Sequence, residues 1–176
     1  MRVRWAVPGD ARAIAEVHVS SWQAAYRGLI PGETLARIAV SEREPKWREW
    51  LSDPTRPSTL VAGHGNRIEG FCSVAMPARS VEAASDLAEI PALYVAPGAW
   101  RRGVGAALMT RALNEMAEAG FAHALVWVLE GNDRAIAFYE ASGWRLDGGR
   151  DEWTPQVGRA DPLPTVSLRI EVGRER

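Results

Sequence analysis

Residues 99–113, AWRRGVGAALMTRAL, place two arginines and two glycines ahead of an alanine- and leucine-rich run whose apolar residues recur at helical spacing. Helix N-termini leave backbone N–H groups unpaired and carry the positive end of the peptide dipoles, so an anion is held there without a dedicated side chain. Glycine removes the side chains that would keep the anion away. The N–H groups of Arg101, Arg102, Gly103, Val104, Gly105 and Ala106 are the expected cradle for a phosphate or pyrophosphate, and the arginines add charge. The P-loop string G-x-x-x-x-G-K-[ST] is absent, and the dinucleotide fingerprint would need Gly or Ala where Leu108 stands. The competing reading is that the glycines serve tight helix–strand packing and the arginines are solvated.

Upstream, EIPALYV (residues 89–95) reads as a strand containing Pro91 and ending at Pro97-Gly98. Downstream, the helix stops at Gly120, and HALVWVL (123–129) has the near-continuous apolar texture of a central strand buried on both faces. Strand, helix and strand together predict a parallel crossover, and ligands in such sheets bind beyond the carboxyl ends of the strands. Further out, VRWAV (3–7) alternates like a strand, and Pro8-Gly9-Asp10 precedes a helix extending to about Gly28. GETLARI and SEREPKWREWL read as helical pieces, and Gly65-Asn66 turns a hairpin. RAIAFYEASGW is a short amphipathic helix, WRLDG starts a strand, and TVSLRIEV (165–172) is a final alternating strand. The fold class is α/β, with a mixed sheet covered by helices on both faces.

One domain, residues 1–176, is expected: 47% of residues are hydrophobic and 24% charged. With 21 Lys+Arg against 22 Asp+Glu, the net charge of −1 gives no pull toward nucleic acid or an anionic membrane. The single cysteine, Cys72, excludes an internal disulfide and reads as a small buried hydrophobe. The three histidines show no ligand spacing, so no metal is expected. No signal peptide or membrane-length apolar run is visible, and the cytoplasm is the expected compartment.

LYVAPGAWRRGVGAALM (93–109) and EGNDRAIAFYEASGW (130–144), in this order and spacing, resemble the GNAT (GCN5-related N-acetyltransferase) superfamily. The resemblance is strong from about Glu89 to Trp144. It implies a mostly antiparallel mixed sheet of about six to seven strands whose central parallel strands splay apart. Gly103 and Gly105 match the glycines of the family's Q/R-x-x-G-x-G/A motif, which binds the pyrophosphate of acetyl-CoA; Trp100 departs from its Gln/Arg. Pantetheine is expected along Leu93, Tyr94 and Val95, with the Val95 N–H polarising the thioester carbonyl. Asn132 matches a pantetheine contact, though it suits an N-cap equally well, and Ala135 falls in the same cofactor-binding segment.

Tyr139 matches the general-acid tyrosine; its alternative is a tyrosine packed on the sheet, with neighbouring Phe138 the better core candidate. Glu89 is the candidate base, directly or through water, with Asp86 and Glu82 as rivals. Trp22 and Tyr26, spaced i,i+4 on one helix face, are candidates for the substrate side. The implied function is acetyl-CoA-dependent transfer of an acetyl group to a primary amine of a small molecule, by direct attack in a ternary complex without metal. The alternatives are acetylation of a protein N-terminus or lysine, and a CoA-binding module without catalysis. A homodimer through sheet edges is conceivable, for which TVSLRIEV would be available.

Overall fold

The computed structural model describes residues 1–80, 86–155 and 161–173. Seven strands, β1 (Arg2–Trp5), β2 (Ser58–His64), β3 (Arg67–Ala75), β4 (Leu87–Val95), β5 (His123–Leu129), β6 (Arg145–Trp153) and β7 (Leu163–Glu171), form one sheet in the order β1-β2-β3-β4-β5-β7-β6. Every neighbouring pair is antiparallel except β4 and β5, which are parallel. The α-helices among the described residues are α1 (Ala11–Ala25), α2 (Gly32–Ala36), α3 (Val40–Ser52), α4 (Val104–Glu118) and α5 (Asp133–Ala141). The mixed sheet and its parallel centre agree with the sequence-based expectation.

Two layers of core follow from the strand alternation. On one face Cys72, Val74, Ala88, Ile90 and Val126 pack against Val104, Leu108, Ala112 and Met116 of α4 and Tyr139 of α5. On the other, Phe71 and Val61 meet Ile14 and Val17 of α1 and Trp47 of α3. The start of α1 is tied to β1: Asp10 takes a two-bond contact from the Arg4 guanidinium, at 2.7 and 2.8 Å, and accepts the Val7 N–H at 2.8 Å.

Two features differ from expectation. β6 continues through the polar residues up to Trp153 because it is an edge strand, mostly exposed, and needs no apolar alternation. Its return beside β7 places the C-terminal strand between β5 and β6, so TVSLRIEV has no free edge for a second copy; the sheet edges are β1 and β6.

The register of β3 and β4 contains the irregularity that shapes the site. Ser73 pairs with Ala92, but Ala75 pairs with Glu89, so β4 carries one extra residue around Ile90-Pro91. Side-chain alternation inverts there: Ala88 and Ile90 face α4, as do Leu93 and Val95, whereas Ala92 and Tyr94 face α1 and α3. Pairing with β5 covers only Leu87, Ala88 and Glu89. Beyond Glu89 the two central strands part.

Candidate active site

The gap between β4 and β5 is a cavity of about 820 Å³ that runs from the N-terminus of α4 to α1. Its walls include Leu93, Tyr94 and Val95 from β4, Trp127 and Val128 from β5, Asn132 just ahead of α5, and Arg134, Ala135, Phe138 and Tyr139 from α5 itself. The Ala96 N–H bonds the Glu69 carbonyl at 2.8 Å, which sets the phase of the strand. Alternate residues therefore turn their peptide groups the other way, and the N–H and C=O of Leu93 and Val95 face the gap. The Val95 carbonyl is already occupied by the Trp100 indole N–H at 2.7 Å. Its N–H is left for a ligand.

At the mouth of α4, Gly103 adopts a left-handed φ of 82°, and Arg101, without glycine's freedom, does so at 59°. No side chain caps the helix, and the first bond into it runs from the Ala107 N–H to the Gly103 carbonyl. The preceding N–H groups project free. A Cβ on Gly103 would meet nothing within 4 Å, so the space above it is open; a Cβ on Gly105 would lie 3.3 Å from the Phe138 ring. The first glycine serves the loop and the second the packing of α4 on α5. Arg101 lines the cavity; Arg102 does not and instead lies 3.9 Å from the Glu69 carboxylate. Val104 is buried in the core beneath. Trp100, at the position where the resemblance calls for Gln or Arg, carries the Arg134 guanidinium 3.4 Å from its ring centroid. A cation is thus restored near the motif by another segment.

Asn132 caps α5, its Oδ1 accepting the Ala135 N–H at 3.3 Å, and also lines the cavity, so the two readings of this residue are compatible. Tyr139 is the more buried of the two adjacent aromatics, at 5% exposure, and both line the cavity. Among the described residues the Tyr139 hydroxyl has no hydrogen-bond partner. Burial pushes its ionisation well above the ordinary tyrosine range, which keeps it a proton donor.

Toward α1 the cavity ends at Ser21, Ala25 and Tyr26. The Tyr26 and Tyr94 hydroxyls are 3.0 Å apart, and burial raises the ionisation of both. Trp22 lies behind this pair, 4% exposed, with its ring 5.4 Å from that of Tyr26. Of the two substrate-side candidates, only Tyr26 reaches the wall.

Glu89 stands where the central strands part, but on the face away from α4 and outside the cavity lining. Its Oε2 accepts the N–H groups of Arg79 and Ser80 at 2.9 and 3.0 Å. The Ser80 hydroxyl in turn receives the Trp127 indole N–H at 2.9 Å, so the carboxylate anchors a loop against the cavity wall. Asp86 lies at the closed end of the parallel pair, 3.4 Å from His123, and Glu82 lies outside the described residues. Among the described residues no group of three metal-ligating side chains gathers, and no helix is long and apolar enough to cross a membrane.

Ser21, Pro91, Trp127 and Arg134 were not legible as site residues. Pro91, which cannot donate to a ladder, was the only one with a sequence signal.

Comparison with known proteins agrees with this geometry. The chain is 33% identical over 139 residues to the uncharacterized N-acetyltransferase YuaI of Bacillus subtilis, covering 79% of this chain and 77% of that one. The fold matches the PaiA N-acetyltransferase of Thermoplasma acidophilum, solved in complex with coenzyme A, with a TM-score of 0.72 at 18% identity, covering 97% of this chain and 98% of that one. It also matches YncA of Salmonella typhimurium, solved with its cofactor acetyl-CoA, with a TM-score of 0.69 at 18% identity over 100% of this chain and 96% of that one. The sequence pattern of the acetyltransferase (GNAT) family covers residues 17–144, which hold the C-terminal part of α1, the parted strands, the α4 loop and α5. With an uncapped, glycine-led helix mouth and a split parallel pair inside that match, the chain belongs to the acetyltransferase (GNAT) family and is an acyltransferase.

Proposed function

We propose that the protein transfers the acetyl group of acetyl-CoA to a primary amine of a small molecule, by direct attack within a ternary complex. The observation that carries this is the cavity between β4 and β5, which joins the uncapped N-terminus of α4 to a tyrosine-lined end at α1. Pyrophosphate suits the free N–H groups ahead of Ala107, with Arg101 and Arg134 adding charge. Pantetheine suits the peptide edge of Leu93 and Val95, and the solved relatives holding coenzyme A or acetyl-CoA favour the same ligand.

In the reaction the amine nitrogen attacks the thioester carbon and a C–N bond forms. The carbonyl oxygen gathers negative charge and is met by the Val95 N–H. The C–S bond then breaks, and the departing sulfur takes the Tyr139 proton. The nitrogen loses two protons in all: one replaces that on Tyr139 through water, and the other leaves to solvent. Glu89 supports this geometry by holding Arg79 and Ser80 behind Trp127, and any proton it accepts arrives through water.

Incubating the protein with acetyl-CoA and a broad panel of amines, with release of free CoA thiol as the readout, tests the proposal. Turnover with a small amine is the expected result. Thiol release with peptides alone would move the acceptor to protein, and no release with any amine would leave a binding module.

A further inference from the structure

Trp100 is fixed from two sides at the start of the loop into α4. Its indole N–H donates to the Val95 carbonyl at 2.7 Å, folding the ring back over the end of β4, and its backbone N–H reaches the Pro97 carbonyl at 3.3 Å. The Arg134 guanidinium carbon lies 3.4 Å from the centroid of that ring, well inside the range of a cation–π contact. So short a separation requires the planar guanidinium to lie flat on the indole. One face is then spent on the ring, and the in-plane N–H groups stay available for an anion.

No acid accounts for the place of Arg134. Among the described residues it forms no ion pair and no side-chain hydrogen bond, and Glu130, nearby in sequence, is taken by Arg150 at 2.9 Å. Arg134 is exposed and lines the cavity, so a ligand in the cavity reaches it. Packing fixes its position relative to the mouth of α4. The Phe138 ring, one turn on along the same face of α5, lies so close to Gly105 that a Cβ there would stand 3.3 Å away. Arg101 lines the same cavity from the loop, so one arginine comes from the loop and a second from α5.

Resting on the transferase reading above, we propose that Trp100 is a positioning residue for the cofactor: its ring pins the Arg134 guanidinium beside the mouth of α4, where the guanidinium bonds the pyrophosphate of CoA. A free arginine side chain gives up much rotamer freedom when it grips an anion, and stacking has already removed it before the ligand arrives. The ring at position 100 thus acts on the phosphate through a second residue, which the Gln or Arg expected there would not need.

The test is calorimetric titration of CoA and dephospho-CoA into the wild type, Arg134→Gln, Arg134→Lys, Trp100→Leu, Trp100→Phe and the double variants that join each Trp100 change to Arg134→Gln. Thermal unfolding of each unliganded protein checks the fold. Arg134→Gln should weaken both ligands by about 10- to 100-fold, as loss of a charge-assisted hydrogen bond implies, and Arg134→Lys by less. Trp100→Leu should cost about 3- to 10-fold, and Trp100→Phe, which keeps a ring but not the indole anchor, less than that. In the Arg134→Gln background neither Trp100 change should cost much further, because its effect passes through the guanidinium. Should Trp100→Leu unfold, Trp100→Phe completes the cycle. Unchanged affinity in Arg134→Gln, a loss confined to CoA, which alone of the two carries the 3′-phosphate, or an equal cost of the Trp100 change with and without Arg134 would overturn the assignment and leave the cofactor in place. A wild type that binds neither ligand would overturn the cofactor reading itself.

Discussion

Burial acts in opposite directions on Tyr139 and His18, because it disfavours whichever form carries charge. Tyr139 is held protonated, as a donor to a departing thiolate must be. Replacing it by Phe removes only the hydroxyl, so kcat should fall about 100-fold or more, in line with loss of a general acid, while acetyl-CoA binding changes little. Steady-state kinetics with the best amine of the panel measures this, and unchanged turnover would exclude Tyr139 from proton transfer. His18, 9% exposed, is lowered to about 3 by burial, with the Arg43 charge adding to the effect. The unfolded chain takes up a proton near pH 6.5 and the folded one does not. The stability contributed by neutral His18 is therefore whole above that pH and declines below it, by up to about 1.4 kcal/mol per pH unit, down to about pH 3. Urea unfolding from about pH 7.5 to about 5 should show this slope in the wild type and a flatter one in His18→Gln. Tyr139 could be named as a candidate from the sequence because the proposed role rides on a local pattern. The deep burial of His18 could not be read there, since it depends on Trp47, Phe71 and Tyr94 from other elements, a property of tertiary packing.

At the level of elements, the loop into α4 was legible because its physics is local: glycine, positive charge and a helix start lie within a few residues. Gly103→Val forces a β-branched residue into a left-handed φ, at a cost of about 1–3 kcal/mol, and places methyl groups in the open space above the helix mouth. Its affinity for acetyl-CoA, read by calorimetry, should drop at least about 10-fold. Gly103→Asn tolerates that φ better and should lose less stability while still losing affinity. Wild-type affinity in both variants would show that the cofactor does not approach this loop. Other elements were less legible. β6 was cut short because an exposed edge strand lacks the alternation that marks a half-buried one, and β7 looked like an edge because pairing order is not written in either strand. Glu89 was identifiable as a carboxylate at a strand end, but its engagement with Arg79 and Ser80 depends on where the loop folds back.

For the whole molecule, a ligand that fills the gap between the central strands ties α1, α4, α5 and both halves of the sheet together. Acetyl-CoA at about 100 times its Kd should stabilise the fold by about 2.7 kcal/mol. For a chain of this size that is a rise in Tm of about 5–10 °C, readable by scanning calorimetry; no shift at millimolar acetyl-CoA would exclude it as co-substrate. The fold class and the parallel centre were legible because strand, helix and strand follow one another in sequence. The α1 end of the cavity was not, since it is assembled from α1 and β4, which are far apart along the chain. The extra residue of β4 at Ile90-Pro91 also divides the chain for comparison with its relatives. Upstream of it even-numbered residues of the strand belong to the α4 side, and downstream odd-numbered ones do. An alignment that slides a gap across this point exchanges Leu93 and Val95 for Ala92 and Tyr94, and so misassigns the face toward α4 and the face toward α1 and α3 at once. A one-residue deletion there would make the same exchange in the protein itself, turning Tyr94 away from His18 and toward α4.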